Sequence, residues 1–320
     1  MSNLLFICGF PSGGTDLTKT ILNAHPDVYI NGEMPFLYQL GKYGITKDST
    51  FSSLEEVESF KKLLRKINTW GNIENLNYDF SQDLEEKKSI TQEEILQTCF
   101  SGKSRRIWGN KTPQNTEHIA QLNRLFPTSR FLIVVRDVRE VCLSWNNKWG
   151  RNMNWCADKW AGRMMKGWEE CQKLSSSRYL FIKFEEIIQE TENINRLISA
   201  FIGIPFSERM MEHEKFMEEF IDGKINYGRE ILSENQEKWR DQMSKEKVKR
   251  IEEISFETMN LFNYQPEFAS KSVPLKQSEK LYGYFHDSVS ILTTGNRASA
   301  NNKISSRMTD LIFEIRKKTG

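Results

Sequence analysis

A glycine-rich loop after a short apolar run is the first part of the sequence whose residue types could do chemistry. Residues 4–17 read LLFICGFPSGGTDL, and the apolar run ends in glycines at positions 9, 13 and 14. Backbone N–H groups in such a loop approach an anion closely, and the N-terminus of a following helix adds positive potential. The loop therefore predicts a site for a phosphate or a related anion.

The same loop departs from the motif of ATP-binding phosphate loops. Gly9 and Gly14 have the spacing of GxxxxGK[ST], but Thr15 and Asp16 stand where that motif requires a lysine and a hydroxyl residue. A carboxylate in that position is a poor neighbour for a triphosphate and Mg²⁺. The residues favour a phosphate-type ligand other than ATP. A plain glycine turn between a strand and a helix is the alternative that the loop alone leaves open.

A second group of polar residues follows the clearest predicted strand. Residues 130–135 read RFLIVV, a continuous apolar run rich in β-branched residues, and Arg136 comes directly after it. If a helix begins at Asp137, Ser144 and Lys148 lie one turn apart on one face. With Arg136 they would form a second anion pocket at the carboxyl edge of a sheet. Ordinary ion pairing within this charged turn is the alternative.

Strands and helices alternate along the chain, which predicts an α/β fold with a P-loop-like central parallel β-sheet flanked by helices. The predicted strands are Leu4–Cys8, Val28–Ile30, Arg106–Trp108, Arg130–Val135 and Tyr179–Lys183. The predicted helices are Thr15–Asn23, Leu54–Ile67, one beginning at Thr91, Asn115–Phe126, Asp137–Lys148, Trp155–Leu174, Thr191–Phe201, Ser207–Phe216 and Ser244–Phe262. The polar residues 68–88 are expected to be irregular.

The sequence changes character after Pro266. We expect one α/β domain over residues 1–266 and a helical C-terminal extension with linkers over residues 267–320. Within the extension, helices are predicted at Lys280–Leu292 and Lys303–Lys318. The second is amphipathic, so its apolar face is expected to pack on its own domain or on a second copy of the chain.

Composition argues against several classes of protein. The chain has 320 residues and a net charge of +2, whereas nucleic-acid-binding proteins carry a strong basic excess. Its five cysteines are scattered without CxxC spacing, which predicts reduced core thiols. With no signal peptide and no apolar stretch of about 20 residues, we expect a soluble, cytoplasmic protein without a transmembrane segment. No metal is expected, because no His/Cys cluster has ligand spacing.

Several motifs resemble those of the PAPS-dependent sulfotransferases, in which PAPS is 3′-phosphoadenosine 5′-phosphosulfate. They occur in the same order from about Leu4 to Pro266, and are closest to the bacterial and protein-tyrosine branch. The motifs are GFPSGGTDL, HPDV, GNKTP, RDVREVCLSW, YLFIKFEEII, INRLISAFIGIPFSERMM and EKWRDQMSKEKVKRIEEI. The resemblance implies a sulfotransferase that moves the sulfuryl group of PAPS to a hydroxyl or amine acceptor and releases PAP, without a metal.

The resemblance also implies roles for the two anion sites. The first loop would hold the 5′-phosphosulfate through Ser12, Gly13, Gly14, Thr15 and Asp16. The 3′-phosphate and the rest of the nucleotide would be held by Arg136, Ser144, Lys148 and, from a late loop, Lys238. For the last of these, a charged surface loop is the alternative. Two separate anion pockets are what a bis-phosphorylated nucleotide requires.

Two further residues acquire catalytic roles from the resemblance. Lys111 in GNKTP matches the lysine that contacts the bridging oxygen of PAPS, where leaving-group charge develops in the transition state. Pro113 stands where the phenol and steroid branch has its histidine base, so that base is lacking. Glu33 in INGEMP instead matches the glutamate base of the protein-tyrosine branch.

Two departures from the family pattern bear on activity. Ser12 replaces an Arg or Lys, and Asp16 replaces a hydroxyl residue, while Lys19 one turn later is a candidate to compensate. Loss of one such donor typically costs about 10²–10³ in rate. A non-catalytic PAP-binding or scaffold protein of the same fold therefore stays an alternative, and a P-loop kinase a weaker one. The acceptor is expected to be a glycan or small metabolite, with a lipid or peptide left open.

Overall fold

The computed structural model of this chain has a central sheet of five parallel strands in the order β2-β5-β1-β6-β7. It describes residues 3–68, 75–101, 105–216 and 237–293. The sheet strands are β1 (Leu4–Gly9), β2 (Val28–Asn31), β5 (Ile107–Lys111), β6 (Arg130–Val135) and β7 (Tyr179–Lys183). A separate antiparallel pair consists of β3 (Thr50–Phe51) and β4 (Ile90–Thr91).

Helices connect and cover these strands. The α-helices are α1 (Thr15–Asn23), α2 (Leu54–Ile67), α3 (Ser81–Lys87), α4 (Gln92–Ser101), α5 (Ile119–Leu125), α6 (Val138–Trp149), α7 (Met153–Cys171), α8 (Phe184–Gln189), α9 (Thr191–Ile202), α10 (Trp239–Gln242), α11 (Lys245–Leu261) and α12 (Gln277–Thr293). Short 3₁₀ segments lie at Leu37–Tyr43, Pro113–Glu117, Ser176–Arg178 and Glu208–Phe216. No helix of the described residues is both long and apolar enough to cross a membrane.

Strand β1 lies at the middle of the sheet, between β5 and β6. Its residue Phe6 pairs in register with Asn110 on β5 and with Phe131 on β6. Because all five strands are parallel, their carboxyl ends meet at one edge of the sheet. In open sheets of this kind ligands bind outside that edge. The segments that leave it are therefore the ones that matter for function.

The side chains of β1 alternate between the two faces of the sheet, as the period of a strand requires. Leu5 and Ile7 join an apolar cluster with residues of α1, α8 and α9. Phe6 points to the other face, where its ring lies 5.4 Å from that of Phe131 and 5.8 Å from that of Phe126. Both faces are thus buried, which explains why β1 and β6 are continuously apolar.

The chain folds as two compact units. The described residues of the first are 3–68, 75–101, 105–136 and 163–216, which include the whole central sheet. Those of the second are 137–162 and 237–293, which contain α6, α10, α11 and α12. The predicted boundary at residue 266 stays a prediction, and the predicted helix Lys303–Lys318 lies outside the described residues.

All five sheet strands were predicted, and the bounds of most helices fall within a few residues of the expected ones. Several elements differ. The predicted helix Ser207–Phe216 is a 3₁₀ segment, Glu208–Phe216. Helices α8 and α10 and the short strands β3 and β4 were not predicted. The third predicted strand runs on to Lys111 because its register with β1 extends that far. A 3₁₀ turn precedes α5 where one continuous helix was predicted, and α3 forms in the region expected to be irregular. The prediction that the five cysteines lie in the core is confirmed, since all are buried and free.

Candidate active site

The glycine-rich loop between β1 and α1 is a tight turn at the carboxyl edge of the sheet. The N–H of Gly13 donates a hydrogen bond to the carbonyl of Phe10 over 2.8 Å, which closes the turn. Ser12 and Gly14 have positive φ angles of 65° and 93°. A Cβ atom at Gly14 would lie 2.1 Å from the ring of Phe184, so only glycine fits there.

The end of the loop presents the first turn of α1 to this edge. Helix α1 begins at Thr15, and a helix leaves its first N–H groups without intrahelical partners. Since the N–H of Gly13 is already used within the turn, the N–H groups at the start of α1 are the better anion donors. The structure thus brings the loop residues together as expected. The anion donors, however, are expected at the start of α1 rather than at Gly13, whose N–H is bonded within the turn.

Lys111, the last residue of β5, lies between two carboxylates from two other segments. Its Nζ is 2.8 Å from Oδ1 of Asp16 on α1 and 3.3 Å from Oε1 of Glu33, which follows β2. The lysine side chain is only 6% exposed, whereas that of Asp16 is 64% exposed. The structure therefore brings the residues predicted as leaving-group stabiliser and base into direct contact.

The charges of this cluster perturb one another. Burial works to lower the pKa of Lys111, but Asp16 and Glu33 outweigh it, so that its pKa is raised and the ammonium is kept. Lys19 lies close enough to feel the same charges. Its pKa is lowered, first by burial and then by the positive charge of Lys111. Besides Lys111, Lys19 is thus a second basic residue of this cluster. The loop itself has Ser12 where the family pattern has an Arg or Lys.

A network of buried polar side chains fixes the segment that carries Glu33. The amide of Asn110 donates to the carbonyl of Gly32 over 3.2 Å and to the hydroxyl of Thr112 over 2.7 Å. That hydroxyl also accepts a bond from the N–H of Met34 over 2.9 Å. Residues on both sides of Glu33 are thereby attached to β5, so the spacing of the carboxylate from Lys111 is set by the backbone.

Thr116 attaches the following 3₁₀ turn to the end of β1. Its hydroxyl accepts a hydrogen bond from the N–H of Gly9 over 2.7 Å and lies 2.9 Å from the carbonyl of the same residue. Both residues are buried. This bond holds the start of the glycine-rich loop against the segment that follows Lys111.

Arg136 leaves the sheet edge directly after β6 and contacts the glycine-rich loop. Its Nη1 donates to the carbonyl of Ser12 over 3.1 Å, and its guanidinium lies 4.4 Å from the ring centre of Phe184. Phe184 touches both Arg136 and the position of Gly14. The predicted arginine therefore lies at the same edge as the loop.

The other residues predicted for the 3′-phosphate belong to the second unit. Ser144 is half-buried on α6, and Lys148 is exposed near the end of that helix. Lys238 is exposed at the residue before α10. Their joint action with Arg136 stays a prediction.

The neighbouring charges of the RDVRE segment hold the second unit together. Arg139 pairs with Asp137 at 2.6 Å and with Glu252 at 2.8 Å. Glu140 accepts a hydrogen bond from the N–H of Trp239 over 3.1 Å. All these side chains are buried or nearly so. Part of this motif is therefore structural.

Sequence reasoning missed the supporting residues of the site. Phe184 was recognised only as part of a strand-turn motif, and Asn110, Thr112 and Thr116 had no role assigned. A usable signal was their position, because each follows or ends a strand whose carboxyl end lies at the site edge. No group of His, Cys, Asp and Glu that could hold a metal ion occurs among residues 3–68, 75–101, 105–216 and 237–293.

A sequence model of the sulfotransferase family matches residues 5–208, more than half of the chain. The chain belongs to the sulfotransferase family. The matched region includes the glycine-rich loop, Glu33, Lys111 and Arg136.

The chain is also similar to several protein-tyrosine sulfotransferases. The chain is 25% identical to a protein-tyrosine sulfotransferase of Drosophila melanogaster over 224 residues, which cover 67% of this chain and 40% of the relative. It is 24% identical to protein-tyrosine sulfotransferase 2 of Gallus gallus over 225 residues, or 67% of this chain and 54% of the relative. The chain thus spans only about half the length of these relatives.

Solved structures show the same fold. The sulfotransferase domain of the Synechococcus PCC 7002 olefin synthase superimposes with a TM-score of 0.55 at 16% identity, covering 82% of this chain and 94% of that domain. The sulfotransferase domain from the curacin biosynthetic pathway gives a TM-score of 0.54 at 15% identity, covering 83% and 99%. The predicted α/β fold with a central parallel sheet and a helical C-terminal region is confirmed.

Proposed function

We propose that this protein transfers the sulfuryl group of PAPS to a hydroxyl acceptor. The observation that carries the proposal is the contact of Lys111 with Glu33 beside the start of α1. A cation, a carboxylate and an anion-binding helix N-terminus at one sheet edge are the groups that an in-line transfer needs. Membership of the sulfotransferase family and the motif pattern support the same assignment.

Each group of the cluster has a distinct task in the transfer. The bond between sulfur and the bridging oxygen of PAPS breaks, and a bond forms between sulfur and the acceptor oxygen. Glu33 accepts the acceptor proton, and Lys111 stabilises the negative charge that develops on the bridging oxygen. The products are the sulfated acceptor and PAP, so atoms and charge balance without a further reactant.

Donor binding is assigned to the two predicted anion pockets. The start of α1, after the turn of Ser12–Gly14, receives the 5′-phosphosulfate, with Thr15 and Asp16 in the first helical turn. Arg136, at the sheet edge beside the loop, is assigned the 3′-phosphate. The roles of Ser144, Lys148 and Lys238 stay predictions from the sequence. Among residue types, arginine suits this task because its planar fork matches phosphate geometry.

The acceptor is proposed at the level of its reacting group. A carboxylate base suits a hydroxyl, and the curated relatives are protein-tyrosine sulfotransferases, which favours a tyrosine hydroxyl of a protein over the glycan or small metabolite first expected. The region after β2, residues 41–88, is proposed to contribute to acceptor binding.

Calorimetry with PAP tests the donor site. We expect the wild type to bind PAP at micromolar concentration with little affinity for ATP, and Arg136→Ala to bind it at least about tenfold more weakly. Arg130→Ala is the matched control, because Arg130 is the first residue of β6 and Arg136 follows the other end of that strand. If the wild type shows no binding of PAP, the proposed function is wrong.

A second candidate function is a non-catalytic PAP-binding protein. It is favoured by Ser12 and Asp16, which remove a cation and add a carboxylate beside the reacting group. Transfer of labelled sulfate from PAPS to a panel of tyrosine peptides, glycans and lipids separates the two. Labelled product from any acceptor supports the enzyme, whereas PAP binding without transfer to any member supports the binding protein.

A further inference from the structure

Asp16 stands out within the charge cluster because of its place and its exposure. The family pattern has a hydroxyl residue at this position, but here a carboxylate lies 2.8 Å from the ammonium of Lys111. Glu33, the other carboxylate, is 3.3 Å away and only 28% exposed, against 64% for Asp16. Of the two carboxylates, Asp16 is thus the closer partner and the one that water reaches more readily.

A ligand anion at the start of α1 would meet this ion pair directly. Asp16 lies in the first turn of α1, where the helix N-terminus attracts negative charge. Lys111 is buried, so it needs an anionic partner, and Asp16 supplies one. With Lys19 counted, the cluster contains two cations and two carboxylates. To pair with Lys111, an anionic group of a nucleotide must therefore displace the carboxylate of Asp16 from the ammonium.

We propose that Asp16 is a specificity-determining residue of the donor site, which competes with the 5′ anion of the nucleotide for Lys111. The proposal rests on the proposed function, because it takes PAPS and PAP as the ligands of this edge. Asp16 weakens the binding of nucleotides that carry a 5′ anion and leaves those without one unaffected. The competition applies to PAPS and to PAP alike, because both carry a 5′ anion.

The proposal predicts that PAP binds more tightly when the carboxylate of Asp16 is replaced by an uncharged side chain. Asp16→Asn keeps the shape of the side chain and removes its charge, and Asp16→Thr restores the hydroxyl expected from the family pattern. Because Asp16 is largely exposed, solvent screens its effect, and we expect PAP to bind about fivefold more tightly to either variant. The gain should shrink as the salt concentration rises.

Calorimetry with two nucleotides and a charge-matched control makes the test specific. The nucleotides are PAP and adenosine 3′-phosphate, which lacks the 5′ anion. The control is Asp48→Asn, which removes a carboxylate from an exposed aspartate–lysine pair with Lys47 at 2.7 Å and changes the net charge equally. Thermal unfolding verifies that every variant is folded before binding is compared.

The outcomes separate the inference from the function on which it rests. Tighter binding of PAP by both Asp16 variants, with no change for adenosine 3′-phosphate or for Asp48→Asn, supports the proposal. Equal or weaker binding of PAP by the Asp16 variants, or an equal gain for both nucleotides, overturns it while PAP binding by the wild type still stands. Absence of PAP binding by the wild type overturns the proposed function, and the inference that rests on it falls as well.

Discussion

At the scale of single residues, the site is defined by one buried lysine and the carboxylates that keep it charged. Lys111 ends a strand, and burial alone would disfavour its ammonium form. Asp16 and Glu33 reverse this effect and raise its pKa. The same contacts place a carboxylate and a cation within a few ångströms of each other, as the proposed transfer to a hydroxyl requires. In the proposed competition for Lys111, the carboxylate that a nucleotide displaces affects how tightly the nucleotide is bound.

Replacement of Lys111 tests its assigned role in the transfer step. We expect Lys111→Ala to lower kcat by about 10²–10³, because charge on the leaving oxygen would develop without a cation. Lys111→Arg keeps the charge and should lose less. Initial rates with labelled PAPS give both values. Lys47→Ala, in an exposed ion pair, serves as the control, and a Lys111→Ala enzyme as fast as that control would contradict the assigned role.

At the scale of elements, the site depends on how closely a loop approaches the helix that follows β7. Gly14 has a φ of 93°, and its missing side chain leaves room for the ring of Phe184. The ring in turn lies against Arg136. The turn that begins α1 is therefore fixed by contact with a residue far away in the sequence, in addition to its own hydrogen bond from Gly13 to Phe10.

Two glycine substitutions separate contact from backbone strain. Gly14→Ala should reduce the free energy of unfolding by about 2 kcal/mol more than Gly44→Ala, because an added methyl group overlaps Phe184. Gly44 also has a positive φ, of 78°, but a Cβ there meets nothing within 4 Å. It therefore reports the backbone cost alone, about 1 kcal/mol. Urea unfolding measures both, and equal losses would show that the ring moves aside freely.

At the scale of the whole molecule, ligand binding must depend on local charges. The net charge is only +2, so no broad positive field attracts a bis-phosphorylated nucleotide from a distance.

The chain is also divided into two compact units, and the second joins residues 137–162 with residues after 236. Such a unit needs contacts between segments that are distant in sequence, and Glu252 provides several. It is fully buried and accepts hydrogen bonds from Arg139 and from the N–H groups of residues 267, 268 and 269.

Removal of this carboxylate charge should loosen the second unit. We expect Glu252→Gln to lower the free energy of unfolding by about 3 kcal/mol, since Arg139 stays buried with less compensation and the amide cannot accept all four bonds. Glu253→Gln is the neighbouring control, because Glu253 is half-buried and pairs with Arg250 at 3.4 Å, so it should cost less than about 1 kcal/mol. Chemical denaturation compares the two, and similar values would contradict the importance of Glu252.

The sequence by itself determined most of the helices and strands and the types of residue that follow the strand ends. Apolar runs and glycines predict β1, its loop and α1, and β6 with Arg136 behind it, because these patterns are local. The family resemblance added predicted roles for Glu33 and Lys111. Where the pattern was weak, as in residues 68–88, helix α3 was missed because short polar helices depend on their surroundings.

Only the tertiary structure decided which residues meet. Strand β5 inserts between β2 and β1, and this order brings Lys111 between Glu33 and Asp16, although they are far apart in the chain. The same holds for Phe184 against Gly14 and Arg136. Strand order and register are set by packing of the whole sheet, which no local pattern contains. The ion pair that makes Asp16 a competitor for Lys111 therefore becomes visible only in the folded protein.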